Sequence, residues 1–168
     1  MKELLVPVGN MDSLKAAVMN GADAIYLGGK RFGARAFAGN FNDEEMILAI
    51  HFAHLYGVKI YVTVNTIVFE SELEDVYNYC LFLHKAGVDA LIVQDLGLAN
   101  YLIHNFPDLP IHASTQMTIY NLEGALLAEK LGFSRAVLSR ELSISEIEYI
   151  CKNSNIEIET FIHGALCI

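Results

Sequence analysis

A glycine placed a few residues before an apolar run recurs four times along the chain, and this regularity constrains the fold most. The four segments are Gly21–Leu27, Gly57–Val62, Gly87–Val93 and Gly132–Leu138. Glycine readily adopts the left-handed conformation with which many helices end. Each segment therefore predicts the end of a helix followed by a strand, and the repeated alternation predicts an α/β fold.

Seven strands are predicted from these junctions and from the other apolar runs. They are Glu3–Val8, Ala24–Leu27, Lys59–Val64, Ala90–Val93, Ile111–Ala113, Arg135–Leu138 and Glu157–Phe161. Continuous apolar runs such as Leu91–Val93 are typical of a parallel sheet that is buried on both faces. The segments between strands show helical spacing, and one helix is expected to begin at Ser71, with Glu74 three residues on.

Polar residues follow nearly every predicted strand. A closed barrel brings the carboxyl ends of all its strands to one rim, whereas an open sheet concentrates its site at one switch point. The dispersion of polar strand ends favours a parallel β/α barrel of the TIM type. Such a barrel has eight strands. Because the sequence predicts seven, we expect an incomplete barrel, a single domain over residues 1–168 that is truncated at its C-terminal end.

Composition limits the possible partners and the compartment. The net charge of −9 disfavours broad binding to phosphate backbones, so any contact with nucleic acid must be local. The three cysteines, Cys80, Cys151 and Cys167, are too scattered for a disulfide framework. No apolar run reaches the roughly 18 residues of a membrane span, and the N-terminus shows no cleavable signal pattern. We therefore expect a cytoplasmic protein without a membrane span.

Several segments of the chain resemble motifs of the peptidase U32 family. They are Leu4–Asn10, Gly21–Gly29, Phe32–Ala36, Tyr61–Thr66, Asp89–Gly97, His112–Met117 and Phe161–Cys167. The resemblance spans essentially the whole chain. It implies a barrel domain, here its N-terminal portion, whose full-length members continue past the last segment into further cysteines.

The resemblance implies an enzyme in the full-length protein and leaves two chemistries open, while the activity of these 168 residues alone is undecided. Some members are associated with hydroxylation of RNA bases or of the ubiquinone ring, with an iron–sulfur cluster. Others were first catalogued as collagenase-like peptidases. We favour iron–sulfur-dependent hydroxylation of a base in tRNA or rRNA, with a peptidase as the alternative. A third hypothesis is a non-catalytic fragment that self-associates through open barrel edges.

The hypotheses assign different roles to Cys167. The resemblance makes it one ligand of a 4Fe-4S cluster, and because such clusters usually take four thiolates, we expect no cluster in this chain alone. His163 lies one helical turn before Cys167, a spacing that suits a thiolate–imidazolium pair for peptide hydrolysis. Judged from the residues alone, Cys167 is also compatible with simple packing, and His163 with a hydrogen bond to backbone.

The remaining strand-end residues are candidates for binding a polar substrate. They are Asn65, Gln94, Asp95, His112, Ser114, Thr115, Gln116 and Arg140. Their expected place on the barrel rim favours substrate binding, while helix capping is the alternative for the serine and threonine residues. Arg140 has the further alternative of a local ion pair with Glu141, which stabilises little when exposed.

A tight basic cluster lies after the second predicted strand. Lys30, Arg31 and Arg35 are interleaved with Phe32 and Phe37, a pattern that suits a phosphate contact with base stacking, or else a solvated loop. The Gly28-to-Gly33 spacing is followed by Ala34 and not by the lysine and serine or threonine of a P-loop, which argues against nucleotide hydrolysis. Cys80 and Cys151 lie in helical patterns and are expected to pack against apolar residues.

Overall fold

The computed structural model describes residues 2–34 and 40–163, in which helices and strands alternate as predicted. The strands are β1 (Leu5–Pro7), β2 (Ala24–Gly28), β3 (Lys59–Val64), β4 (Ala90–Val93), β5 (Ile111–Ala113), β6 (Arg135–Val137) and β7 (Glu157–Glu159). The helices are α1 (Met11–Met19), α2 (Asp43–Leu55), α3 (Leu73–Ala86), α4 (Leu96–Asn105), α5 (Leu122–Leu131) and α6 (Ile144–Asn153). Two 3₁₀ turns, Glu70–Glu72 and Thr115–Met117, precede α3 and α5.

The four glycines that define the sequence repeat all have positive φ, between +72° and +97°. Gly87 and Gly132 are the left-handed C-caps of α3 and α5, and the other two glycines follow the C-caps of α1 and α2. A residue with a Cβ is strained in this conformation. The predicted helix ends are therefore confirmed, and the seven predicted strands are observed with ends that differ by at most two residues.

The predicted cap of α3 is wrong. Ser71 lies inside the 3₁₀ turn, and the N-cap of α3 is Glu72, which has helical backbone angles and makes no capping hydrogen bond with its side chain. Instead, the Phe69 N–H donates to the Glu72 carboxylate at 2.9 Å. The 3₁₀ turn thus supplies a partner for a backbone N–H before the start of α3, at Phe69 and not at the predicted cap Ser71.

The chain divides into two compact units, Met1–Leu91 and Ile92–Ile168. In the first unit β1, β2 and β3 are parallel neighbours, with Leu5 opposite Ala24 and Ala24 opposite Lys59. The core of this unit consists of apolar residues from the strands and the helices that pack on them. It includes Leu14, Ile25, Leu27, Met46, Ile50, Ile60, Val62, Tyr79 and Leu83.

In the second unit β5, β6 and β7 are parallel neighbours, with His112 opposite Arg135 and Arg135 opposite Glu157. Arg135 is buried and binds both Glu157 and Glu159 on the neighbouring strand, at 2.8 Å and 3.3 Å. This ion-pair cluster compensates the burial of the guanidinium group. Leu98, Leu102, Ala125 and Ile150 supply helix contacts to the core.

Successive strands are neighbours in the sheet, in the order β1-β2-β3-β4-β5-β6-β7. Parallel strands in sequential order, each followed by a helix, have the topology of a β/α barrel, and seven strands are one short of the usual eight. The predicted fold class, an incomplete TIM-type barrel, is confirmed. The prediction of a single domain remains a prediction. Within the described residues, no helix is long and apolar enough to cross a lipid bilayer.

The two described cysteines differ in their surroundings. Cys80 is buried in α3, and burial raises the pKa of its thiol to about 12, which confirms the expected packing role. Cys151 is exposed on α6, so the packing role expected for it is wrong. Ile150 is the buried residue of that helix, and Cys151 is rotated by about 100° from it, because an α-helix has about 3.6 residues per turn.

Candidate functional site

The loop Gly28–Ala34 follows β2 and carries the candidate residue Lys30. Backbone hydrogen bonds attach the loop to Phe41, a core residue just before α2. The Phe41 N–H donates to the Gly28 carbonyl at 3.0 Å, and the Lys30 N–H donates to the Phe41 carbonyl at 3.2 Å. These bonds fix the backbone of Lys30, while its side chain is exposed. In the described part of the chain, the Lys30 ammonium group has no hydrogen-bond or ion-pair partner.

Tyr79 of α3 packs directly against this loop. Its hydroxyl lies against Gly29, so that a Cβ at position 29 would overlap the hydroxyl oxygen and lie 3.0 Å from Cζ. Tyr79 is 2% exposed, and among the described residues its hydroxyl has no hydrogen-bond partner. Burial raises the pKa of Tyr79. Sequence analysis does not single out Tyr79, so it missed the contact of this residue with the loop.

Arg31 is held by both α2 and α3. Its guanidinium group donates to both carboxylate oxygens of Asp43, at 2.9 Å and 2.7 Å, and lies 4.6 Å from the centre of the Tyr79 ring. The next residue, Phe32, has a φ of 56° and places its ring 6.0 Å from that of Tyr79. The described cluster is therefore less basic than its sequence indicates, since Asp43 neutralises Arg31. Arg35 and Phe37 lie outside the described residues.

Two residues that follow β3 tie their loop to Gly28–Ala34. The Ala34 N–H donates to the Asn65 side-chain oxygen at 3.1 Å, and the Thr66 hydroxyl donates to the Phe32 carbonyl at 3.3 Å. Asn65 was predicted to bind substrate, and the structure gives its side chain this loop contact. Further along the same connection, Phe69 is 71% exposed. The two loops thus form one bonded surface in the first unit.

In the second unit Gln94 and Asp95 follow β4 and are both partly buried. Asp95 is the N-cap of α4, since its carboxylate accepts a hydrogen bond from the Leu98 N–H at 2.8 Å. A capping aspartate stabilises the start of a helix. The structure thus gives Asp95 a capping contact, and it leaves the binding role that was predicted for both residues untested.

The residues predicted to bind substrate around β5 differ in exposure. His112 lies within β5 and is 3% exposed. Ser114 is buried and caps the following 3₁₀ turn by accepting from the Gln116 N–H at 3.3 Å. Thr115 is partly buried, and Gln116 is exposed. Of these four residues, Gln116 is therefore the one best placed to meet a large substrate from solvent.

The end of the second unit carries Arg140 and His163. The guanidinium group of Arg140 lies 5.0 Å from the centre of the Phe161 ring, a cation–π contact in place of the ion pair with Glu141 considered above. His163 is exposed. Cys167 lies outside the described residues, so the structure does not place it relative to His163.

A groove of about 480 Å³ lies between the N-terminal parts of α5 and α6. Its lining combines apolar residues, two exposed tyrosines and two carboxylates. The lining includes Tyr120, Leu122, Glu123, Leu142, Glu146 and Tyr149. Glu146 accepts hydrogen bonds from the Ser143 hydroxyl and N–H, and these bonds lower the pKa of its carboxyl. The groove is therefore negatively charged, which disfavours a phosphate ligand.

The described residues do not form a cluster site. None of their histidine, cysteine, aspartate and glutamate side chains come together in a group of three or more that could hold a metal ion. Buried Cys80 and exposed Cys151 are the free cysteines of this part of the chain, and they lie in different units. A cluster that takes four thiolates does not fit this set.

Comparison with known proteins shows what this chain is similar to. The chain is 43% identical over 166 residues to a 23S rRNA 5-hydroxycytidine synthase of Escherichia coli K12. It is 40% identical to tRNA hydroxylation protein P1 of Bacillus subtilis and 42% identical to an uncharacterized protease of Methanocaldococcus jannaschii. At least 99% of this chain is covered in each case, but only 25%, 39% and 42% of the respective relatives.

A solved structure of a U32 peptidase has the same fold. It superimposes with a TM-score of 0.78 and 19% sequence identity, over 95% of this chain and 68% of that one. The sequence profile named Peptidase family U32 matches residues 9–168. The chain therefore belongs to Peptidase family U32, as its motifs predict.

Proposed function

We propose that the full-length protein to which this chain belongs hydroxylates a base of ribosomal or transfer RNA. One observation carries the proposal: the sequence similarity extends over almost the whole chain to relatives named for hydroxylation of these two RNA classes. The chain spans less than half the length of either relative, so the activity is assigned to the full-length protein.

Two features of the described residues support contact with RNA. Lys30 presents an exposed ammonium group on a loop with a fixed backbone, as suits a contact with a single phosphate. Gln116 presents an exposed amide, which can both donate to and accept from the edge of an unpaired base. With a net charge of −9, such contacts must be few and local.

The proposal gives Cys167 one ligand position in a 4Fe-4S cluster of the full-length protein, with the other ligands from outside the described residues. Its test is anaerobic reconstitution of the full-length protein with iron and sulfide. We expect a thiolate-to-iron absorption band that is lost in Cys167→Ala and kept in Cys151→Ser. Equal bands in wild type and Cys167→Ala would remove this cysteine from the cluster.

The second candidate function is peptide hydrolysis, favoured by the archaeal relative named as a protease. It would use Cys167 as nucleophile and exposed His163 as base. Cleavage of a peptide by purified full-length protein, lost in both Cys167→Ala and His163→Ala and insensitive to iron chelation, would establish it. Cleavage that persists in both variants would point to a contaminating protease.

Two further parts of the proposal concern location and assembly. Ribosomal and transfer RNA substrates favour action in the cytoplasm. β1 and β7 are each paired with one neighbour in the sheet, so each has a second edge on which another chain could pair. Self-association of this chain through these edges is tested by sedimentation, and a monodisperse monomer at micromolar concentration would contradict it.

The test of the main proposal is mass spectrometry of nucleosides from ribosomal and transfer RNA. RNA from a strain that lacks the gene should miss one nucleoside that is heavier than its parent by one oxygen atom. The full-length gene on a plasmid should restore it. Identical nucleoside profiles with and without the gene would exclude RNA-base hydroxylation as the function.

A further inference from the structure

The loop Gly28–Ala34 is bound from several directions although it is a surface connection. Gly28 and Lys30 bond to Phe41 of the core, Ala34 bonds to Asn65, and Phe32 bonds to Thr66. Loops of this kind are usually more mobile than the elements that they connect. These attachments hold the backbone of the loop to its neighbours in the first unit.

Tyr79 is the residue around which the loop is arranged. Its hydroxyl occupies the space beside Gly29, its ring carries the Arg31 guanidinium at 4.6 Å, and the Phe32 ring is 6.0 Å away. Two of these three contacts are made by the ring, so Tyr79 is expected to hold the loop mainly through its ring and not through its hydroxyl.

The same contacts separate the two neighbouring cations of the loop. The Arg31 guanidinium contacts the Tyr79 ring and forms an ion pair with Asp43, and this ion pair neutralises its charge. Lys30 is exposed, and two contacts hold its backbone. The Lys30 N–H donates to the Phe41 carbonyl, and the preceding residue, Gly29, packs against the Tyr79 hydroxyl. The loop therefore presents one exposed cation on a fixed backbone.

We propose that Tyr79 is a positioning residue that holds the loop Gly28–Ala34 so that Lys30 contacts a phosphate of the RNA substrate. The inference rests on the proposed function and deepens it, because it names the protein group that meets the backbone of the RNA. Tyr79 itself touches no RNA. It acts through the loop, by fixing Arg31, Phe32 and Gly29.

The test is a double-mutant cycle in the full-length protein, with bulk transfer RNA and bulk ribosomal RNA from the deletion strain as probes. Lys30→Ala should weaken binding about fivefold and reduce the slope of log affinity against log salt by about 1, as expected for one phosphate contact. Tyr79→Leu removes the ring and should produce a similar loss. The double variant should lose no more than either single variant, because both remove the same contact.

Matched controls separate positioning from folding. Tyr79→Phe keeps the ring and should bind RNA within about twofold of wild type. Lys85→Ala removes an exposed lysine at the far end of α3, with the same change in net charge, and should leave the affinity and the salt slope unchanged. Should Tyr79→Leu fail to fold, Arg31→Met combined with Asp43→Asn removes the tether to the ring without changing the net charge.

Three outcomes overturn the inference. One is an unchanged affinity and salt slope in Lys30→Ala. The second is additive losses in the double variant, and the third is a Tyr79→Leu protein that melts at a lower temperature but binds RNA like wild type. Each of these would leave RNA hydroxylation untouched if the hydroxylated nucleoside is still formed, whereas its absence from wild-type cells would contradict the proposed function instead.

Discussion

The Tyr79 hydroxyl lies so close to Gly29 that no side chain at position 29 fits beside it. The contact joins α3 to the loop that follows β2, so a residue in the helical layer determines the path of a loop at the carboxyl end of a strand. In β/α barrels, this end of the strands carries the functional residues. The packing of α3 is thereby connected to the part of the first unit that we assign to substrate contact.

Gly29→Ala should destabilise the protein by about 1–3 kcal/mol, the range expected for overpacking a filled space. Tyr79→Phe alone should be neutral or slightly stabilising, because it removes a buried hydroxyl that has no hydrogen-bond partner in the described part of the chain. In the double variant, the nearest ring atom remains 3.0 Å from the new Cβ, so only part of the loss should be recovered. Urea denaturation measures all three values, and a strictly additive result would disprove the contact.

Arg135→Met should destabilise the protein by about 1–3 kcal/mol. The guanidinium side chain is 10% exposed and binds Glu159, which is 16% exposed, so the substitution removes a partner from a largely buried carboxylate, whereas Glu157 is 67% exposed and stays solvated. Lys152→Met breaks an exposed ion pair with Glu148 and should change stability by about 0.5 kcal/mol or less. Similar effects of the two substitutions in urea denaturation would contradict the assigned burial of Arg135.

Glu146 should contribute stability that depends on pH. Hydrogen bonds from Ser143 lower the pKa of Glu146 in the folded state, so its contribution is complete above the unfolded pKa of about 4.3 and is lost as the pH falls through the folded pKa. Glu146→Gln should therefore melt below wild type at neutral pH, and the difference should shrink in acid. A difference in melting temperature that stays constant with pH would show that the charge is not involved.

The thiols should differ in reactivity. The pKa of Cys80 is raised to about 12 by burial, so a thiol reagent should leave it unmodified in the folded protein. Cys151 is exposed and should react rapidly. In a Cys151→Ser, Cys167→Ser variant of this chain, modification should begin only when denaturant unfolds it. Rapid modification of that variant without denaturant would contradict the burial of Cys80.

The sequence predicts those parts of the fold that depend on local rules. The four glycines with positive φ mark helix ends because only the local backbone decides them, and continuous apolar runs such as Leu91–Val93 mark strands that are buried on both faces. The cap expected at Ser71 is wrong because an added 3₁₀ turn satisfies the same donors. Where α3 begins depends on how the segment packs in the fold, and the local sequence around Ser71 does not contain that information.

The candidate site is less predictable, because its properties arise between segments distant in sequence. Arg31 reads as part of a basic cluster until Asp43 and Tyr79 are placed beside it. Tyr79 is not singled out by any sequence pattern, and its contact with Gly29 is visible only in the structure. Among the polar residues at strand ends, the sequence does not separate capping Asp95 from exposed Gln116, since both types occur in either role.

The most direct test of RNA-base hydroxylation is complementation of the deletion strain with variants of the full-length gene, read by nucleoside mass spectrometry. Wild type should restore a nucleoside that carries one added oxygen atom, Cys167→Ala should not, and Cys151→Ser should restore it fully. Restoration by Cys167→Ala would contradict the role given to this cysteine. A nucleoside profile that does not change with the gene in either RNA class would contradict the assigned function as a whole.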